Sequence, residues 1–204
     1  DLAIVIFNGL ILFTFWQNKI FDKKRILIYS AVVLILALFV NLLPYKETDS
    51  INLALIHSPL FLWCLFGLTY VSFDYKNIAK RIAFIRFNGE LLIMTGLLLI
   101  AGVLLTAITL GLFSAIKMNI EEFYIHYVVI VGAVAAPIVA YYLIQVYPSI
   151  TSKIAPVIAR VFTPLVLITL MVYLVSLVFS ESKILKDRDL LILFNVMLLA
   201  VMAI

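Results

Sequence analysis

Apolar residues in this chain fall in long unbroken runs, and the charged residues gather in short clusters between them. Reading runs against clusters gives seven apolar segments, at about 2–16, 26–44, 51–73, 87–116, 124–147, 157–179 and 190–204. A helix crosses a hydrocarbon core about 30 Å thick with roughly 20 residues, and the five inner segments are each long enough. Residues 87–116 exceed that length, which implies tilt or projection beyond the core. In lipid, backbone amides and carbonyls must find partners within the protein, so only helices and closed barrels cross. A barrel would show alternating strands of about 10 residues, and these runs are continuous. The pattern predicts an all-α, polytopic transmembrane helical bundle of about seven spans with short loops, the first and last short enough to be truncated spans.

The flanking residues fit this pattern. Asp49 and Ser50 precede the third segment, Asn119 with Glu122 three residues on resembles a capping box before the fifth, and Asp187 and Asp189 precede the seventh. Successive loops fall on alternate sides of the membrane. One side collects Lys19, Lys23, Lys24 and Arg25, then Lys76, Lys80, Arg81 and Arg86, then Lys153 and Arg160, ten of the fifteen basic residues. Lys46, Lys117, Lys183, Lys186 and Arg188 fall on the other. Basic loops stay in the cytoplasm, so loops 17–25 and 74–86 are expected there. Loop 74–86 also puts Ile78, Ile82 and Ile85 on one helical face and Lys76, Lys80 and Arg81 away from it. That suits a short helix lying on anionic lipid; the plainer alternative is the basic loop that the orientation rule expects anyway.

Composition removes water as the solvent. Of 204 residues, 66% are hydrophobic and 13% charged, with a mean hydropathy of +1.22, against about 45–50% and about 25% in soluble domains. A domain of this size has no interior large enough to hide so much apolar surface. The net charge of +4 follows from the basic loops and calls for no nucleic acid. The expected partners are the lipid bilayer and either a second copy of the chain or another membrane protein. Asp1 at the start and an apolar run at the end suggest a piece of a longer chain, here read as a single transmembrane helical domain over 1–204.

Candidate chemistry is sparse. The single cysteine, Cys64, gives neither a disulfide framework nor a Cys-based metal site, and His57 and His126 are too few for a multi-histidine site. No metal or cofactor is expected. Phosphate loops, zinc helices and nucleophile elbows are absent. No Asp lies inside the predicted spans, which excludes aspartyl protease chemistry there. Enzyme activity stays open only for sequence outside these residues.

Ionisable groups inside spans are functional candidates because they are costly to keep there. Glu90 is the only acid in a predicted span, and Arg86 stands four residues before it on the same face. If the helix starts at the segment boundary, Glu90 is a first-turn cap and half of an interfacial ion pair. If it starts near Lys80, Glu90 lies deeper and could carry a proton or cation. His57, Ser58 and Pro59 form the second candidate: proline frees a carbonyl beside an imidazole and a hydroxyl, giving either a cavity lining or a kink satisfied by Ser58. Gly132, Ala136 and Ala140, spaced four apart, would put small side chains on one face for helix packing. Asn8, Asn41, Gln145 and Asn195 are expected to hydrogen-bond between helices.

The stretch Ala159-Arg160-Val161-Phe162-Thr163-Pro164-Leu165, with Tyr173-Leu174 and a further apolar span beyond, resembles the bacterial multi-pass membrane family known as domain of unknown function 4153. That family shows Phe-x-Pro-Leu before a Tyr-rich helix, and the similarity covers residues from about 87 to the end. The tryptophans usual after that helix are missing here. The resemblance implies a bacterial inner-membrane protein and supplies no catalytic residues. Two functions compete. One is a transporter or permease-like bundle for a small solute, which needs a hydrated cavity reaching Glu90 or His57. The other is a non-catalytic anchor, sensor or assembly module, packed dry through small-residue faces.

Overall fold

A computed structural model of the chain describes residues 2–19, 22–42, 49–147 and 154–179, together with the helical positions Ile192, Asn195 and Leu199. The described residues contain helices and no strand. They form α1 (Leu2–Gln17), α2 (Lys23–Leu42), α3 (Asp49–Tyr70), α4 (Ile78–Ala115), a single turn α5 (Glu121–Phe123), a π-helical stretch (Tyr124–Val129), α6 (Ile130–Val146) and α7 (Ile154–Phe179). From Glu121 to Val146 the helical path is continuous.

Among the described residues five helical segments are long and apolar enough to cross a membrane: Lys23–Leu42, Asp49–Tyr70, Ile78–Ala115, Glu121–Val146 and Ile158–Leu177. Helix α1 has 16 residues, about 24 Å at 1.5 Å per residue, short of a core about 30 Å thick. The seventh expected span, with Asp187 and Asp189, lies outside the described residues apart from the three helical positions named above.

The fourth span differs from expectation. It begins at Ile78, not near residue 87, and its 38 residues run about 57 Å. The cause is Asn77, whose side-chain oxygen accepts the Lys80 amide at 3.3 Å and whose carbonyl accepts the Arg81 amide at 3.2 Å. Residues 78–86 are therefore the first turns of the span itself, and Ile78, Ile82 and Ile85 are exposed along it. Asn119 also acts differently from a capping box. The helix starts at Glu121 after Ile120, and the Asn119 side chain accepts the Glu121 amide at 3.3 Å.

The chain divides into two compact units within α4, Asp1–Leu92 and Ile93–Ile204. In the first, Leu10, Ile11, Thr14 and Phe15 of α1 and Leu62, Phe66 and Thr69 of α3 are buried where these two helices pack closely. Tyr29 ties α2 on, with its hydroxyl donated to Asn8 and its ring 5.4 Å from Phe15, edge to face. Helix α3 meets the start of α4 through rings: Phe84 lies 5.9 Å from Trp63, 5.7 Å from Phe66 and 5.3 Å from Tyr70. In the second unit, Leu112 and Phe113 of α4 and Ile116 in the turn after it pack with Tyr173 of α7, and the Phe113 and Tyr173 rings meet edge to face at 5.8 Å.

Two helix ends share a strained cap. Ser72 and Lys117 have φ of 55° and 60°, in the left-handed region. Ser72 N–H donates to the Thr69 carbonyl at 2.9 Å and Phe73 N–H to Leu68 at 2.8 Å; Lys117 and Met118 do the same to Ser114 at 2.9 Å and Phe113 at 3.0 Å. This paired motif usually has glycine as its first residue beyond the helix.

Replacing Ser72 or Lys117 by Gly is expected to stabilise the protein by about 0.5–1 kcal/mol, since relief of the left-handed strain exceeds glycine's greater freedom in the unfolded chain. Thermal denaturation in detergent measures this. Gly67→Ala should do the reverse. A Cβ there would stand 2.9 Å from Phe84 Cε1 and 3.0 Å from Cζ, and the three rings around Phe84 restrict its retreat. A loss of about 1–3 kcal/mol is expected in the same assay.

Candidate functional site

One polar pair of the first unit joins α3 to α4. Trp63 Nε1 donates to Asn88 Oδ1 at 3.0 Å, and Tyr70 stacks on Phe87 with centroids 4.7 Å apart. Asn88 also donates its Nδ2 to the Phe84 carbonyl at 2.7 Å. Both ends of this amide are thus used, and the indole N–H has the partner such a group seeks away from water.

Because α4 starts at Ile78, Glu90 stands about 18 Å along the helix instead of in its first turn. The pairing of Asn88 with Trp63 sets its depth against α3: Trp63 is about 10 Å from the Tyr70 end, and Glu90 lies a little further in. Arg86 Nε approaches Glu90 Oε1 to 4.0 Å, with the arginine side chain 83% exposed and the glutamate 43%. This is a loose ion pair on one helix surface, worth less than about 0.5 kcal/mol.

His57, Ser58 and Pro59 are satisfied locally. His57 is exposed, and its Nδ1 lies 2.7 Å from the Leu53 carbonyl. Pro59 has no amide to give to the Leu55 carbonyl, and Ser58 Oγ donates to that oxygen at 3.1 Å. The proline's defect is therefore repaired by the residue before it. His57 and Glu90 are each engaged along their own helix, His57 with Leu53 and Glu90 with Arg86.

The small-residue series divides. Ala136 and Ala140 are buried, whereas Gly132 is exposed, with open space where a Cβ would project. An open cavity of about 550 Å³ lies at the turn after α4, between Leu110, Gly111 and Ser114 on one side and Lys117, Asn119 and Glu121 on the other. None of the candidate polar residues lines it. Among the described residues no three His, Cys, Asp or Glu side chains gather as a metal site.

A feature not anticipated from sequence joins two loops at one end of the first unit. The Arg25 guanidinium lies 5.2 Å over the Phe73 ring. Asp22 pairs with Arg25 at 3.3 Å and Asp74 with Lys80 at 2.9 Å. The available signal was Phe73 itself, an apolar residue set among charges, but its partner is distant in sequence.

No family model, curated protein or solved structure matches this chain.

One regularity runs through the side chains. Thr14, Asn41, His57, Thr69, Asn88, Thr106, Thr109, Thr163 and Ser176 each bond to the carbonyl four residues earlier on their own helix. Of these, Thr14, Thr69 and Thr109 are the buried polar residues among those described. Such bonds turn polar groups back onto the backbone.

Asn88→Leu should remove the α3–α4 bond at a cost of about 1 kcal/mol or less, and should shift Trp63 emission in a Trp16→Phe background. Glu90→Gln should change stability by less than about 0.5 kcal/mol. A larger loss would place Glu90 in a stronger interaction than its exposed pair.

Proposed function

We propose that this chain is a non-catalytic, membrane-embedded helical module that works by packing and assembly in the bilayer. The observation that carries this reading is the inward turn of its polar groups. The buried threonines Thr14, Thr69 and Thr109 each spend a hydroxyl on their own helix, and among the described residues Thr95 Oγ1 is the one buried side-chain polar atom without a partner. No acid, lysine, arginine or histidine is buried among the described residues. A permeation path needs polar groups presented to a solute, and these are presented to the backbone.

Transport of a small solute is the competing reading, supported by a half-buried Glu90 on an otherwise apolar stretch of α4. His57 adds little to it, since its ring is exposed and bonded to Leu53. Placement in a bacterial inner membrane, with loops 17–25 and 74–86 cytoplasmic, belongs to the same proposal. So does membership of the domain of unknown function 4153 family, which rests on Phe162 to Leu165 and Tyr173. Assembly with a second copy or another membrane protein completes it.

Purified chain in proteoliposomes tests this directly. Light scattering against polyols, sugars, amino acids and monovalent salts should show leakage no faster than protein-free vesicles, and His57→Ala and Glu90→Gln should change nothing. A solute-selective flux abolished by Glu90→Gln would overturn the assembly reading in favour of transport.

A further inference from the structure

Helices normally begin with acids, because the N-terminus carries roughly half a positive charge. In this chain α3 begins with Asp49 and α5 with Glu121 and Glu122. Helices α2 and α4 do the opposite. Neither has an acid in its first turn; α2 opens with Lys23, Lys24 and Arg25, and α4 has Lys80 and Arg81 there. Both starts belong to the end of the first unit where Arg25 covers Phe73, so like charge is added to two positive helix ends on one surface.

The acids on these two loops are already committed. Asp22 pairs with Arg25 and caps the Lys24 amide at 3.1 Å, and Asp74 holds Lys80. Lys19, Lys23, Lys24, Lys76 and Arg81 are exposed and have no ion pair among the described residues. Asp22 and Asn77 cap the two helix starts, so what is left is the mutual repulsion of these cations, which an anion supplied from outside would relieve. Exposed apolar groups surround these cations: Trp16 and Tyr75 beside the loops, and Ile78 and Ile82 on α4. An anion that brings its own hydrocarbon satisfies both sets at once, which a free phosphate does not.

We infer that the joined α1–α2 and α3–α4 loops form one binding surface for anionic phospholipid headgroups, held together by Arg25 on Phe73. This rests on the membrane-embedded reading above. Lys23, Lys24, Lys76 and Arg81 take the headgroup phosphates, while Ile78 and Ile82 lie against the acyl chains.

The test uses the full chain in nanodiscs of equal phosphatidylglycerol and phosphatidylcholine, with retained lipid read by native mass spectrometry. The wild type should retain phosphatidylglycerol in preference, the preference should fall with added salt, and the combined Lys23→Ala, Lys24→Ala, Lys76→Ala, Arg81→Ala variant should lose roughly tenfold or more of it. Exchanging the four residues for the other basic residue (Lys→Arg, Arg→Lys) should keep it. Equal retention of both lipids by the wild type, or undiminished preference in a variant of wild-type helicity, overturns the proposal. If the alanine variant fails to fold, the wild type's own preference and salt response decide. Displacement of the lipid by millimolar inorganic phosphate also overturns it, because the surface then recognises bare phosphate. Flotation with pure phosphatidylcholine vesicles separates the two levels: a chain that does not float sinks the membrane reading and this proposal with it, and one that floats without lipid preference sinks this proposal alone.

Discussion

In hydrocarbon a polar group has no solvent to fall back on, so its partner must come from the protein itself. That constraint fixes the helical backbone, and in this chain it reaches the side chains too. Threonine, serine, asparagine and histidine residues repeatedly close onto the carbonyl one turn behind them. The serine beside Pro59 shows the same economy, filling the acceptor that the proline leaves open. What holds helices to each other is left mainly to rings and close packing, because lipid tails are as apolar as the core and burial alone favours no contact. Hence the first unit depends on fitted surfaces: Phe84 seated over Gly67, and Tyr29 reaching Asn8.

Most of the element list was legible because the bilayer imposes a length on apolar runs, and the spans at α2, α3, α6 and α7 fall close to where those runs lie. The start of α4 was not legible from hydropathy. Lys80, Arg81 and Arg86 mask the fact that Phe84 and Phe87 belong to the contact with α3, and the boundary is set by a single asparagine cap at Asn77. Among the asparagines, Asn8 does reach another helix, through Tyr29, while Asn41 bonds to Ala37 on its own. Composition cannot tell these apart, since the choice depends on whether a neighbour stands within reach.

The candidate site was legible as residues and not as an arrangement. Spacing places Gly132, Ala136 and Ala140 on one side of an ideal helix, but says nothing of how far a neighbouring helix extends, and only the latter two are covered. Spacing likewise pairs Arg86 with Glu90 correctly, while the depth of that pair depends on the register between α3 and α4, set by Trp63 and Asn88. The joining of the two basic loops is a tertiary fact that local pattern does not encode.

The π-helical stretch at Tyr124–Val129, closed by the Ile130 amide on the Ile125 carbonyl, has a geometric result of its own. In a regular helix, twelve residues advance about 1200°, so Ala136 would stand about 120° away from Tyr124, with Ala140 and Leu143 also on the far side. One residue accommodated by the wider turns takes back about 100°. That returns Ala136, Ala140 and Leu143 to within about 60° of Tyr124, and all four are buried. The wide stretch works as a phase correction: the span accepts a surplus residue near its entrance while everything downstream keeps the bearing it would have had without it.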